Sequence, residues 1–419
     1  MFKTLKEGQV WIESVQKFGD KYDLTRMHYA CEMLGHPEKA FKSIHIGGTN
    51  GKGSTLTFLK HILLEAGYSV GTYTSPYIVH FNERITLNNQ QIEDDTLLQY
   101  INEIYLLQET YKDKYNDQIT FFELVTLISF MYFKDTQPDI ALIEVGLGGT
   151  LDATNVITPL VSVITTIGFD HMNVLGNTLE SIAGNKLGIV KDSVPLIAGI
   201  TQKELFPQFS SHAKLHDAPL TFLADYPVEP MHLGMPSTFT FLEQDYKMHM
   251  VGVHQVANAK LALLAANTLT HYYEEFSVPE KAKKQGIEHA FWPGRFEVFG
   301  NVILDGAHNP EGLKACLETV SAYFKNKKVI SLFTVMQDKD YEPMLKMLED
   351  KVDEIIFTEI PYPRCELAEV LLNKSNHSKK QAIKNYEEAF NRAKPKTSDE
   401  LLIVTGSLYF ISAIRKLLS

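Results

Sequence analysis

The chain has 419 residues, 40 Lys plus Arg against 51 Asp plus Glu, a formal net charge of −11, and 44% hydrophobic and 22% charged residues. That length suggests two domains, and the composition leaves ample apolar surface for packed cores, which excludes a collagenous, low-complexity or wholly disordered chain. The acidic balance argues against broad nucleic-acid binding, although a local field can still attract an anion.

Short β-branched runs separated by helical patterns indicate a parallel α/β sheet. Ser43-Ile44-His45-Ile46 reads as a strand that runs into Gly47-Gly48-Thr49-Asn50-Gly51-Lys52-Gly53-Ser54, with a helix from about Ser54 to Glu65 that ends at Gly67. Further strands are expected at 70–74, 140–145, 160–165 and 194–198. Their apolar runs lack strict alternation, so the sheet should be covered on both faces. Between Thr201 and Met250 the prolines Pro207, Pro219, Pro227, Pro230 and Pro236 suggest peripheral hairpins and loops. A helix is expected at 257–273. The alternation then restarts: strand 302–305, helix 311–324, and strands 329–333, 354–357 and 401–405. That restart, with Trp292-Pro293-Gly294 at the join, divides the chain into 1–294 and a smaller α/β domain at 296–419. The run Lys325 to Lys328 reads as a solvated loop and Lys379 to Lys384 as a solvated helix face.

Cys31, Cys316 and Cys365 form no CxxC pair, so neither a zinc site nor a disulfide framework is indicated. The N-terminus lacks an apolar signal core, and Ile119 to Phe133, which holds Glu123, is shorter than the ~18 apolar residues a membrane span needs. The expectation is a cytoplasmic protein with neither membrane nor nucleic acid as partner.

Strand, glycine-rich turn, Lys52, hydroxyl and helix together make phosphate-binding architecture. Backbone N–H groups close around phosphate oxygens, the helix N-terminus adds positive potential, and Lys52 supplies a point charge. Ser54 or Thr55 could ligate the Mg²⁺ that accompanies a nucleotide, although Gly53 intervenes in the usual spacing. Glu144 ends a buried strand ahead of Val145-Gly146-Leu147-Gly148-Gly149, where a carboxylate suits Mg²⁺ or a cap. Past another strand end, Asp170 or His171 could complete a metal site. Lys186 taken alone reads as an ordinary helix lysine. Asp305-Gly306-Ala307-His308-Asn309-Pro310 suits ligand contact and helix capping equally, and Arg295 could reach a phosphate.

These residues carry a resemblance. The chain is similar to folylpolyglutamate synthase, often bifunctional with dihydrofolate synthase, among the Mur-type ligases that form amide bonds with ATP. The motifs occur in order: Gly48 to Ser54, Thr74-Ser75-Pro76, Phe81-Asn82-Glu83-Arg84-Ile85, Thr120-Phe121-Phe122-Glu123, Glu144 to Asn155, Asp170-His171, His254-Gln255 with Asn258-Ala259, Trp292-Pro293-Gly294-Arg295, Asp305 to Pro310, and Gly406-Ser407-Leu408-Tyr409. The resemblance implies a Mur-ligase-like α/β fold: an N-terminal P-loop ATPase domain with a parallel-rich central sheet that also binds folate, and a smaller, Rossmann-like C-terminal glutamate-ligase domain.

It also implies roles. Gly48, Thr49, Asn50, Gly51, Lys52, Gly53 and Ser54 would hold the phosphates of ATP, with Asn258 and Asp305 on the adenosine portion and Arg295 on phosphate. Ser54 and Glu144 would ligate one Mg²⁺, and Glu144 with His171 a second. Lys186 matches a lysine carried as a metal-holding carbamate, although Asn185 stands where the family usually has Glu. Thr74, Ser75, Pro76, Phe122 and Asp152 would shape the folate site, with Tyr77 in place of a frequent His. His308 and Ser407 would position L-glutamate, and His308 is a candidate base.

The implied reaction activates the terminal carboxylate of folate, or of dihydropteroate, as an acyl phosphate, which the amine of glutamate then attacks. Such an intermediate favours two domains closing over it. The partners are small molecules and the expected state is a monomer. The competing readings are a nucleotide-binding regulatory protein without ligase activity, and a Mur-type ligase for a cell-wall precursor.

Overall fold

The computed structural model describes residues 1–16, 23–227 and 231–418. The chain forms two compact units. One comprises Met1–Ile167, Thr178–Pro227 and Asn258–Gly286, and the other Gly168–Asn177, Val228–Ala257 and Ile287–Ser419. The units are thus interleaved in sequence. Among the described residues no helix is long and apolar enough to cross a membrane.

The first unit is built on β1 (Ser43–Gly47), β2 (Val70–Tyr73), β3 (Ile85–Leu87), β4 (Gln90–Gln91), β5 (Ile140–Glu144), β6 (Val161–Ile164), β7 (Leu196–Ala198) and β8 (Leu220–Phe222). They lie in the order β4-β3-β2-β5-β1-β6-β7-β8. From β2 to β8 the pairings are parallel, and β3 and β4 add an antiparallel edge. All residues of β1, β2, β5 and β6 are buried, which explains why their sequences are continuous apolar runs. Helices Leu5–Ser14, Thr25–Met33, Asp94–Tyr115 and Phe121–Thr136 contribute Ile12, Met27, Ile101 and Phe130 to a cluster with Tyr73, Ala141 and Ile143 of the sheet. Helix Lys52–Glu65 packs on β1, β2 and β5 through a fully buried stripe that includes Leu56, Leu59, Ile62 and Leu63. It stops in a Schellman arrangement, with Tyr68 N–H donating to Leu63 O at 3.1 Å and Gly67 N–H to Leu64 O at 2.9 Å.

The second unit holds a hairpin sheet of β9 (Met231–His232), β10 (Ser237–Phe241) and β11 (Gln244–Met248). Its larger sheet comprises β12 (Glu297–Phe299), β13 (Val302–Leu304), β14 (Lys328–Phe333), β15 (Glu354–Glu359), β16 (Lys380–Asn385) and β17 (Glu400–Thr405), in the order β12-β13-β17-β14-β15-β16. Only β12 pairs antiparallel in this sheet. Alternate residues of β17 enter two separate apolar clusters, Leu401 and Ile403 one, Leu402 and Val404 the other, so both faces are covered.

Two sequence expectations are corrected. Part of the segment expected as peripheral loops between Thr201 and Met250 is regular. Phe206–Leu215 is a helix with Pro207 in its first turn, where the missing N–H is no loss. Pro219 offers its carbonyl to Leu196 N–H at 2.8 Å, and β8 extends the main sheet from there. Pro236 precedes the expected hairpin, and Pro230 lies outside the described residues. Lys379 to Lys384, expected as a helix face, instead forms most of β16. This edge strand is only partly buried, so its alternation is too polar to reveal its period.

Candidate active site

In the first unit three adjacent parallel strands, β5, β1 and β6, bring three motif loops to one edge of the sheet. Ile46 pairs with Glu144 and Gly47 with Ile164, so the carboxyl ends lie level. The chain leaves β1 toward β2 on one side and returns to β6 on the other, and such a reversal is where α/β sheets bind ligands.

The glycine-rich loop after β1 is tied down from β6. Thr49 N–H donates to Thr166 O at 2.8 Å and Asn50 N–H to Thr166 Oγ1 at 2.9 Å, while Thr165 Oγ1 donates to Asn50 O at 2.6 Å. Two backbone positions demand glycine. Gly48 has φ 139° and an added Cβ would stand 2.0 Å from Thr165 Oγ1, and Gly51 has φ 86° with Asn258 Oδ1 at 2.4 Å from the same construction. Asn258, expected at the nucleotide, therefore lies against the loop. Lys52 opens the following helix and folds back, its Nζ donating to Gly48 O at 3.1 Å and Thr49 O at 3.3 Å. Ser54 and Thr55 are buried in the first turn.

Glu144 is only 5% exposed, and its Oε2 accepts Ser75 N–H at 3.2 Å, which joins the Thr74-Ser75-Pro76 loop to the end of β5. Beyond Glu144 the glycine turn is pressed from two sides. A Cβ on Gly146 would meet the Phe122 ring at 2.3 Å, and one on Gly149 would meet Lys186 Cα at 2.9 Å. Thr150 N–H and Oγ1 both donate to Asn185 O at 2.9 Å, and Lys186 is buried on helix Leu179–Leu187. Asp152, expected at the folate, spends its oxygens on this turn: Oδ2 accepts Leu147 N–H at 2.7 Å and Oδ1 accepts Thr154 N–H at 3.0 Å.

In the second unit, Asp170 gathers a polar cluster. Lys339 Nζ donates to its Oδ1 at 2.7 Å and Asn309 Nδ2 to its Oδ2 at 3.1 Å, with His308 Nε2 and His171 Nε2 each 3.7 Å from a carboxylate oxygen. Burial alone would push the Asp170 carboxyl up, but Lys339 and the two imidazoles hold it below the usual carboxylate range. His308 is pulled down to about 4 by burial and by Lys339, against the opposing pull of Asp170. Its Nδ1 lies 2.8 Å from Gly306 O, which can only accept, so the proton sits on Nδ1 and the lone pair on Nε2. Asp305 accepts Phe296 N–H and Ala307 N–H, each at 2.9 Å; burial raises its pKa and neighbouring Arg295 opposes that. Ser407 is buried, with its Oγ lacking a hydrogen-bond partner among the described residues.

Two family models match the chain, the Mur ligase middle domain at residues 46–266 and the Mur ligase glutamate ligase domain at 294–408. The dihydrofolate synthase/folylpolyglutamate synthase of Bacillus subtilis is 40% identical over 429 residues, covering 99% of each chain. This chain is a Mur ligase of the folylpolyglutamate synthase and dihydrofolate synthase family. The folylpolyglutamate synthase of Mycobacterium tuberculosis complexed with ADP superposes with a TM-score of 0.90 at 27% identity, covering 99% of this chain and 98% of that one. Escherichia coli FolC in complex with DHPP and ADP does so at 0.87 and 28%, with the same coverage.

Of the ligase's expected site residues, the phosphate loop, Thr74 to Pro76, Phe122, Glu144, Asp152, Lys186 and Asn258 belong to the first unit. His171, Arg295, Asp305, His308 and Ser407 belong to the second. Sequence reasoning missed Thr165 and Thr166 as anchors of the loop, although two hydroxyls at a strand end were a readable signal. It also missed Lys339, whose tie to Asp170 spans 169 positions and leaves no local mark.

The donors in the first unit fit a hard cation. Glu144 is a buried carboxylate at the strand end and Ser54 a buried hydroxyl. Among the described residues no group of three His, Cys, Asp or Glu could hold a metal.

Proposed function

We propose that this ligase joins L-glutamate to the terminal carboxylate of a folate, and to dihydropteroate, through an acyl phosphate made from ATP. The observation that carries the reading is the phosphate loop pinned to Thr165 and Thr166 beside a buried Glu144, in a chain 40% identical throughout to a dihydrofolate synthase/folylpolyglutamate synthase. The complex of Escherichia coli FolC with DHPP and ADP supports the same pair of ligands.

In this reading the loop N–H groups and Lys52 hold the ATP phosphates, and the acid's carboxylate oxygen attacks the γ-phosphorus as ADP leaves. Ser54, Glu144, His171 and Lys186 would hold two Mg²⁺ ions, which when bound neutralise charge on the phosphates. Asn258, Arg295 and Asp305 contact the nucleotide, and Thr74, Ser75, Pro76 and Phe122 border the acid. Asp152 borders the acid too, and it fixes the turn that carries Leu147. The glutamate amine then attacks the acyl carbon and phosphate leaves. His308, held neutral with its lone pair on Nε2, is better matched to accept a hydrogen bond from that amine than to remove its proton, since an effective base titrates near working pH. Ser407 Oγ accompanies it at the glutamate.

The test is ADP release measured with each substrate omitted in turn. ADP must appear only when an acid and L-glutamate are both present, and equal turnover without either would sink the proposal.

Lys186 is buried on helix Leu179–Leu187, its backbone against the glycine turn that follows Glu144. Lys186→Arg keeps length and charge but cannot carry a carbamate. It is expected to lower product formation by on the order of 100-fold or more, the scale of losing one charge-stabilising partner. NMR with isotope-labelled bicarbonate should show a carbamate signal in the wild type and none in the variant. Wild-type activity in the variant rules the carbamate out.

A further inference from the structure

Among the described residues two arginines are buried, Arg26 and Arg84, and their surroundings differ. Arg26 is 4% exposed and Glu123 grips it at 2.9 and 3.1 Å, with Asp117 at 3.5 Å. The partly exposed Arg415 is likewise gripped, by Glu297. Arg84 is 6% exposed, yet its Nε has no hydrogen-bond partner and no carboxylate pairs with it among the described residues. Three aromatic rings surround it instead, with centroids 5.1 Å (Tyr77), 5.5 Å (Phe81) and 5.7 Å (Phe121) from the guanidinium carbon.

The carboxylate nearest in sequence is committed elsewhere. Glu83 accepts the N–H groups of Ile78, Val79 and His80 at 2.8 to 3.1 Å, which shapes the loop and turns its charge from Arg84. Arg84 O accepts Thr74 N–H at 2.9 Å, and the next residue, Ser75, donates its N–H to Glu144. The cation is thus built into the same loop that meets the strand-end carboxylate. Rings attract the face of a guanidinium, but they do not replace the hydrogen bonds its edge has lost on burial. That edge is a fork of donors matched to a carboxylate.

We propose that Arg84 is a specificity-determining residue that receives the α-carboxylate of the folate's terminal glutamate, leaving the γ-carboxylate free to react. A carboxylate held bidentately by arginine has its lone pairs engaged and is a poorer nucleophile, so the fork belongs on the acid group that does not attack ATP. Dihydropteroate has only the reacting carboxylate and makes no use of Arg84. This deepens the ligase reading and rests on it.

The experiment compares kcat/KM for tetrahydrofolate with that for its analogue in which the α-carboxylate is a carboxamide and the γ-acid is intact. In the wild type the acid is expected to be preferred by on the order of 100-fold, the scale of a buried charge pair losing one partner. In Arg84→Met the preference collapses to near unity, while kcat/KM for dihydropteroate stays within about threefold of wild type. Arg84→Lys, which keeps the charge but not the fork, is expected to retain roughly a tenfold preference and supplies the comparison if the Met variant does not fold. A wild-type enzyme indifferent to the amide overturns the proposal. So does a preference that survives in either variant at full size, or an equal loss with dihydropteroate. A wild type that makes no amide product from any acid overturns the ligase reading itself, whatever Arg84 does.

Discussion

Lys52→Ala is expected to lower amide formation by roughly a thousandfold or more, about 4 kcal/mol of transition-state stabilisation, while moving Tm by no more than about 2 °C. The two halves of that expectation have separate causes. In the folded chain Nζ donates to the loop carbonyls Gly48 O and Thr49 O, and the helix it opens is held by the buried stripe of Leu56, Leu59 and Leu63. Removing a half-buried loop lysine therefore takes little from the core. In the proposed reaction the same Nζ would be the point charge at the mouth of the loop, where charge spreads over the transferring phosphoryl group. Initial rates and a thermal melt on one preparation check both halves. A variant that loses its fold would show that Lys52 is structural, and one with wild-type rate would remove it from the chemistry.

Glu123→Gln should instead act on stability. Its carboxylate binds Arg26 Nε through both oxygens and accepts Thr120 N–H at 2.7 Å, closing the capping box that starts helix Phe121–Thr136. Both side chains are nearly fully buried, so loss of one charge leaves the other without its partner, a defect that costs about 3 to 5 kcal/mol. Asp117, 3.5 Å from Arg26 and more exposed, compensates in part, which favours the lower end, about 3 kcal/mol. For a unit of this size that corresponds to a fall in Tm of roughly 6 to 12 °C. Differential scanning calorimetry decides it, and an unchanged Tm would mean the pair contributes nothing net. Arg26→Met combined with Glu123→Leu should recover part of the loss, because removing both charges leaves no ion stranded.

How far the fold could be read in the sequence depended on burial. Ile140 to Glu144 is buried at every position, so its apolar run declared a central parallel strand. The partly buried β16 declared nothing of the kind. Pro207 was read as a breaker, although proline in a first helical turn breaks nothing. The site divides in the same way. The phosphate loop was legible because its chemistry is local: glycines, a lysine and a hydroxyl within a few residues. Asp152 was legible as a residue, but the sequence does not show that its oxygens also accept the N–H groups of Leu147 and Thr154. Arg84 stood in a quoted motif without a task, because what distinguishes it is the pairing it lacks, and that exists only in three dimensions.

The turn after Glu144 sits like a shim between two parts. Phe122, on the motif expected to border the acid, presses on Gly146, and the backbone of Asn185 and Lys186 presses on Gly149. Neither contact leaves room for a methyl group. An enlarged side chain at either glycine, or a shifted ring at position 122, would displace the spacing between Glu144 and Lys186 along with the boundary of the acid pocket. If Phe122 borders the acid and Glu144 and Lys186 serve the phosphates as proposed, acid preference and phosphate geometry are mechanically linked, and a lineage that alters which acid it accepts has to re-fit its phosphate chemistry in the same step.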